Sequence, residues 1–155
     1  MAEPSASIPW MSRPRKRISR DFLADAPLRR TQLEGKRGYF VKVRLTSYRS
    51  LPLSCIESVT LRVNGKDVGE HGLLLLLNSD QYRLGELGAL GNRWWFILDY
   101  GHIFFPCDTD LGAGPVAVEG TLVTVEPYMT AGRFSFTNTS RRSLAVLDAG
   151  TAQPI

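Results

Sequence analysis

The sequence predicts an all-β fold: an antiparallel β-sandwich of about seven to nine strands with an extended basic N-terminal arm. Two patterns predict the sandwich. From Gly38 onward, short runs rich in β-branched and aromatic residues are punctuated by Gly, Pro and Asn, and no segment sustains the 3.6-residue spacing of an amphipathic helix. The number and spacing of those runs suit two packed sheets. A third pattern predicts the arm. The 155-residue chain carries a net charge of +4, and residues 1–30 hold seven Arg/Lys against Glu3, Asp21 and Asp25, which is the whole excess; the rest balances at twelve against twelve. Pro4, Pro9, Pro14 and Pro27 break any long helix there, so residues 1–36 read as the arm, with one short turn around Arg20–Ala24, and residues 37–155 as the sandwich.

Taken in order, the run from Phe40 to Leu45 sets Tyr39, Val41, Val43 and Leu45 on one face and Phe40, Lys42 and Arg44 on the other. Ile56–Val63 is the clearest strand. Val59, Leu61 and Val63 are expected in the core, Ile56 is expected on the outer face, and Asn64-Gly65 forms the turn that follows. Leu73–Leu77 is apolar on both faces, and Tyr82–Leu87 is a strand or a turn. Trp94–Asp99 is a strong aromatic strand in which the adjacent Trp94 and Trp95 must face opposite ways, one to the core and one to a protein interface or a sugar platform. His102–Phe105, Val116–Glu126, Phe134–Phe136 and Leu144–Leu147 complete the set, with Val116, Val118, Leu122 and Val125 as core candidates.

A chain of this length buries roughly 68–70% of its unfolded surface, so one core suffices without a staple. No window approaches the ~18 apolar residues of a membrane span, and the basic cluster at Arg13–Arg17 is not followed by the apolar region of a signal peptide. The expected location is cytoplasmic, with neither membrane nor nucleic acid as partner, because the globular part does not continue the arm's positive charge. Cys55 and Cys107 have no CxxC neighbour and read as buried free thiols. His71 and His102 lie in no nucleophile or metal-ligand motif, and there is no phosphate-binding glycine loop. Asp108, Asp110 and Glu119 match positions one, three and twelve of a calcium loop, but position six is Ala113 instead of glycine and no helices flank it, so a polar loop is expected. No catalytic residue and no metal site are therefore assigned to this chain.

The remaining feature is a polar corner in which Pro52 removes a donor and Leu51 is biased away from helical geometry. It reads Tyr48-Arg-Ser-Leu-Pro-Leu-Ser-Cys-Ile-Glu-Ser-Val59 and runs on through the strand to Asn64-Gly65. This stretch resembles the small beta subunit of bacterial C-glycoside deglycosidases, closely over Tyr48–Gly65 and more loosely in strand order from Gly38 to Tyr128. The resemblance implies a non-catalytic beta subunit in a higher-order heteromer. Its partner would be a TIM-barrel alpha subunit similar to sugar-phosphate isomerases, which carries a divalent metal, manganese, and the acid/base residues. The implied reaction is lyase-type cleavage of the C–C bond between sugar and aglycone in 3-oxo-C-glycosides. Tyr48, Arg49, Leu51, Pro52 and Leu53 are then expected at the partner interface. The family's Gly-x-His-x-Val stretch reads Gly114-Pro-Val116-Ala-Val118 here, so no role for that histidine carries over. A free-standing carbohydrate- or ligand-binding β-sandwich is the alternative.

Overall fold

In a computed structural model, residues 21–47, 49–69, 72–126 and 134–148 are described. Twelve strands lie among them: β1 (Leu28–Leu33), β2 (Lys36–Arg44), β3 (Leu51–Pro52), β4 (Ile56–Val63), β5 (Lys66–Asp67), β6 (Leu74–Leu77), β7 (Asp80–Arg83), β8 (Trp94–Trp95), β9 (Tyr100–Pro106), β10 (Val116–Glu126), β11 (Phe134–Leu144) and β12 (Val146–Asp148). A six-stranded sheet runs β12-β1-β2-β9-β6-β7, a four-stranded sheet β11-β10-β4-β5, and β3 pairs with β8 alone. All pairings are antiparallel except β1 with β12. Among the described residues no helix is long and apolar enough to cross a membrane.

The alternation in β2 holds. Tyr39, Val41, Val43 and Leu45 meet Ile103 and Phe105 of β9, Leu75 and Leu77 of β6, and the inner faces of β4 and β10 in one core. Val116, Val118 and Leu122 lie there as expected, and Val125 is buried. The asparagine turn also holds: Asn64 (φ 50) and Gly65 (φ 85) take the left-handed geometry of a hairpin turn, and the Asn64 side chain accepts a hydrogen bond from the Ala117 N–H at 3.1 Å.

Several expectations are corrected. The boundary at residue 36 is misplaced, because β1 and the start of β2 belong to the six-stranded sheet and Phe22, Leu23 and Leu28 are fully buried. Charge counting cannot see this, since the apolar residues that join the core are interleaved with the arginines. Residues 1–20 lie outside the described residues. Ile56, placed on the outer face by strict alternation, is buried. A register shift opposite Val123/Thr124 inserts one extra residue into β4 and turns Ile56 inward beside Leu61 and Val63, while Val59 is only partly covered. Trp94–Asp99 is not one strand. Only Trp94 and Trp95 pair with β3, and the chain then turns, with the Asp99 N–H donating to the Phe96 carbonyl at 2.9 Å. Tyr82–Leu87 splits into the end of β7 and a 3-10 turn over Leu84–Ala89. The run begun at Phe134 extends to Leu144, where Ala145 carries the chain from the four-stranded sheet to β12 in the six-stranded one.

Phe40, on the other face of β2, is also buried. It lies with Phe104, Leu74 and Leu76 in a second apolar cluster, separate from the main core, with Leu33 packed against it. Gly120 serves a different close approach: a Cβ there would lie 2.8 Å from Leu23 Cδ2 and 3.0 Å from Phe22 Cδ2, so a side chain at this position would force Leu23 and Phe22 to shift from β10.

Candidate functional site: the corner and its aromatic ridge

The corner between β2 and β4 is fixed by short side chains and one carbonyl. The Arg49 N–H donates to Ser47 Oγ at 3.3 Å, the Ile97 N–H to Ser50 Oγ at 2.7 Å, and the Leu53 N–H to the Arg93 carbonyl at 2.8 Å. These bonds tie the 49–53 segment to the 93–97 segment and satisfy backbone that would otherwise be stranded beside a proline. The register pairs Leu51 with Trp95 and Pro52 with Trp94. Directly opposed residues of an antiparallel pair share a face. Leu51 and Trp95 therefore point inward, and Pro52 and Trp94 outward.

This parity corrects the interface expectation. Leu51 and Leu53 are 0% exposed and belong to the main core, so neither offers a side chain to a partner. Arg49 is exposed and Pro52 half-buried, while Tyr48 lies outside the described residues. The adjacent tryptophans divide as alternation predicts: Trp95 is 1% exposed and Trp94 41%. What the motif alone could not supply is the other half of the surface. Phe96 (55% exposed), Leu98 (78%) and Tyr100 (45%) follow Trp94 within six positions and are exposed as well, on the 96–99 turn and at the start of β9. Every second residue of the Trp94–Tyr100 run is large and apolar, a signal that was present in the sequence but read there as a strand with a buried face.

The ridge is held from beneath. Trp95 Nε1 donates to the Asp99 carbonyl at 3.0 Å, and Asn78 Nδ2 donates to Asp99 Oδ2 at 2.9 Å. At its β9 end the Lys42 ammonium sits 4.2 Å from the centre of the Tyr100 ring. His102 follows, its ring edge-on to Phe40 at 6.0 Å between centroids. Burial, and then the charges of Lys42 and Arg29, push the His102 pKa down to about 4, so the imidazole is neutral at ordinary pH in a locally positive field.

Nothing else among the described residues assembles a reaction centre. Among the described residues no three His, Cys, Asp or Glu side chains gather as metal ligands. His71 lies outside the described residues. Asp110 is engaged by the Gly112 N–H at 2.9 Å and by Arg30 at 3.1 Å, which hold its carboxyl below the usual carboxylate range, and Glu119 pairs with Arg141 at 3.5 Å. The calcium-loop residues thus serve separate contacts. Cys55 is a buried free thiol, whereas the half-buried Cys107 donates its S–H to the Thr109 carbonyl at 3.3 Å. A cleft of about 610 Å³ at the other end of β9, bounded by Lys36, Arg37, Asp67 and Asp108, mixes two cations with two carboxylates and holds no nucleophile paired with a base. Val116, standing where the family's histidine would be, is 1% exposed core.

Comparison with known proteins places this architecture. The profile of the family described as C-glycoside deglycosidase beta subunit matches residues 18–128, a stretch that contains β1 to β10 whole. A 3'-dehydrocarminate deglycosidase beta subunit from Microbacterium sp is 32% identical over 111 residues, covering 70% of this chain and 83% of that protein. A C-glycoside deglycosidase beta subunit from Microbacterium trichothecenolyticum is 37% identical over 89 residues, 57% of this chain and 67% of the relative. One from Arthrobacter globiformis is 34% identical over 77 residues, 50% and 58% of the two chains.

Proposed function

The chain belongs to the family of C-glycoside deglycosidase beta subunits, and from that premise we propose that it is the non-catalytic partner of a larger TIM-barrel alpha subunit similar to sugar-phosphate isomerases. The alpha subunit carries the acid/base residues and a divalent metal, manganese. The observation that carries this reading is the reach of the family match, which takes in β1 to β10 with the corner and the ridge rather than one short motif. The substrate is a 3-oxo-C-glycoside. A ketone at C3 acidifies the C2–H, so a base on the alpha subunit removes that proton and the electron pair forms the C1–C2 double bond as the C1–aglycone bond breaks. The aglycone carbon leaves with the electron pair and takes up a proton.

A beta subunit has a physical task in such a reaction. The departing carbon has no oxygen to protonate beforehand, so rate depends on holding the aglycone in line while charge develops, and a second subunit can order the barrel loops that do so. On this reading the sandwich is a scaffold, and Arg49 and Pro52, together with Tyr48, contribute to the contact. The complex works in the cytoplasm.

The test is to purify the two subunits separately and together. One co-eluting complex, with turnover of a 3-oxo-C-glycoside only when both are present, is the expected result. An isolated chain that stays monomeric, binds sugar by itself and ignores the alpha subunit would replace this reading with a carbohydrate-binding sandwich.

A further inference from the structure

Single exposed apolar residues are normal on protein surfaces, but contiguous ones are not. Of the six large hydrophobic side chains exposed among the described residues, four are Trp94, Phe96, Leu98 and Tyr100, within one seven-residue run; the other two, Phe136 and Leu147, lie on different strands. We propose that this ridge is the surface on which the larger deglycosidase subunit docks, with Lys42 at its rim meeting an acidic group of that subunit. The inference rests on the proposed function and adds to it the surface and the chemistry of the partner.

Three observations carry the assignment. The ridge is preformed, because the bonds from Ser50, Asn78, Trp95 and the 96–99 turn hold its backbone from below, so docking does not have to order a loose loop. Its composition, two aromatics and a leucine beside a tyrosine capped by a lysine, is that of an interface centre. Finally, the β9 end of its rim is positive: Lys42 has no carboxylate within ion-pair distance among the described residues, and the charges of Lys42 and Arg29 act on the neighbouring His102, while the Asp99 carboxylate within the run is engaged by Asn78 Nδ2 at 2.9 Å. A second copy of this chain facing the ridge across a two-fold axis would bring the same positive rim against itself. A sugar would need hydrogen-bonding side chains between the rings, whereas the outward positions are apolar from Trp94 to Leu98.

The experiment measures the affinity of the purified alpha subunit for the unmodified chain, for Phe96→Ser/Leu98→Ser, and for Leu98→Lys and Leu98→Glu separately, with the thermal midpoint of each variant as a folding control. The double variant is expected to bind about 100-fold more weakly or worse with its thermal midpoint essentially unchanged. Leu98→Glu is expected to lose more affinity than Leu98→Lys. If the unmodified pair forms a complex but the double variant and Leu98→Glu bind within about twofold of it, the ridge is overturned and the proposed function stands. If the unmodified chains form no complex, both fall. A dimer of this chain alone that Leu98→Glu dissociates would overturn the choice of occupant.

Discussion

Two regions of this protein handle exposed sheet edges in opposite ways. Near the N-terminus, residues 21–24 strap the two sheets together. On one side the Arg44 N–H donates to the Phe22 carbonyl at 3.0 Å and the Ala24 N–H to the Lys42 carbonyl at 2.9 Å, within the six-stranded sheet. On the other side Leu23 donates its N–H to Ser140 Oγ at 3.0 Å and accepts from Arg142 Nε at 2.9 Å, both on β11 of the four-stranded sheet. Phe22 and Leu23 vanish beneath this strap. Around β3 and β8 the pairing is only two residues long, and its outward side chains stay bare among the described residues. The strapped edge is finished by the chain itself. The bare one is the surface on which the proposed docking of a partner subunit rests.

That contrast can be broken by substitution. The largest effect is expected at Trp95→Ala, which empties a fully buried site and removes the donor to the Asp99 carbonyl; it should cost about 3–5 kcal/mol in chemical denaturation. A loss below 1 kcal/mol would mean that the β3–β8 pair is not integral to the core. Next is Ser140→Ala at the strap. It leaves the buried Leu23 N–H without its acceptor and should cost about 1–3 kcal/mol, with amide exchange of Leu23 accelerating before that of β10.

The third prediction sharpens the electrostatic side of the comparison. Because the folded His102 pKa lies near 4 and the ordinary value is 6.5, the unfolded chain binds the proton first as pH falls. Stability is therefore complete above pH 6.5, declines between 6.5 and about 4, and loses nothing further from this group below that. His102→Gln should flatten that decline in a stability-against-pH series. Lys42→Gln should raise the midpoint of the His102 ring signal in an NMR titration, but short of 6.5, since burial is the larger cause. The smallest effect is expected at Trp94→Ala, within about 0.5 kcal/mol of the unmodified chain in the same denaturation assay. A cost comparable with that of Trp95 would show the ridge to be part of the fold rather than a docking surface.

Much of the fold was legible from alternation. β10 was read with its observed bounds, the two faces of β2 were separated as observed, and the Asn64-Gly65 hairpin followed from turn chemistry. Alternation failed where the backbone leaves strict register. The bulge in β4 turned Ile56 inward, and the turn after Trp95 ended a strand that aromatic propensity alone would have prolonged. At the corner, the motif drew the eye to side chains that the fold buries. Leu51 and Leu53 were assigned to a partner because a conspicuous motif suggested contact, yet their parity against Trp95 places them in the core. The outward residues that replace them come from a segment more than forty positions away.

By itself, then, the sequence determined the class of fold, the Asn64-Gly65 turn and the family, because these depend on local spacing and on residue identity along the chain. Which face of the corner is core and which is surface was decided only by the tertiary structure. A strand's period distinguishes two faces but does not label them, and the label comes from the element packed against each one. Here the main core lies under Leu51 and Trp95, and Pro52 and Trp94 are consequently turned outward.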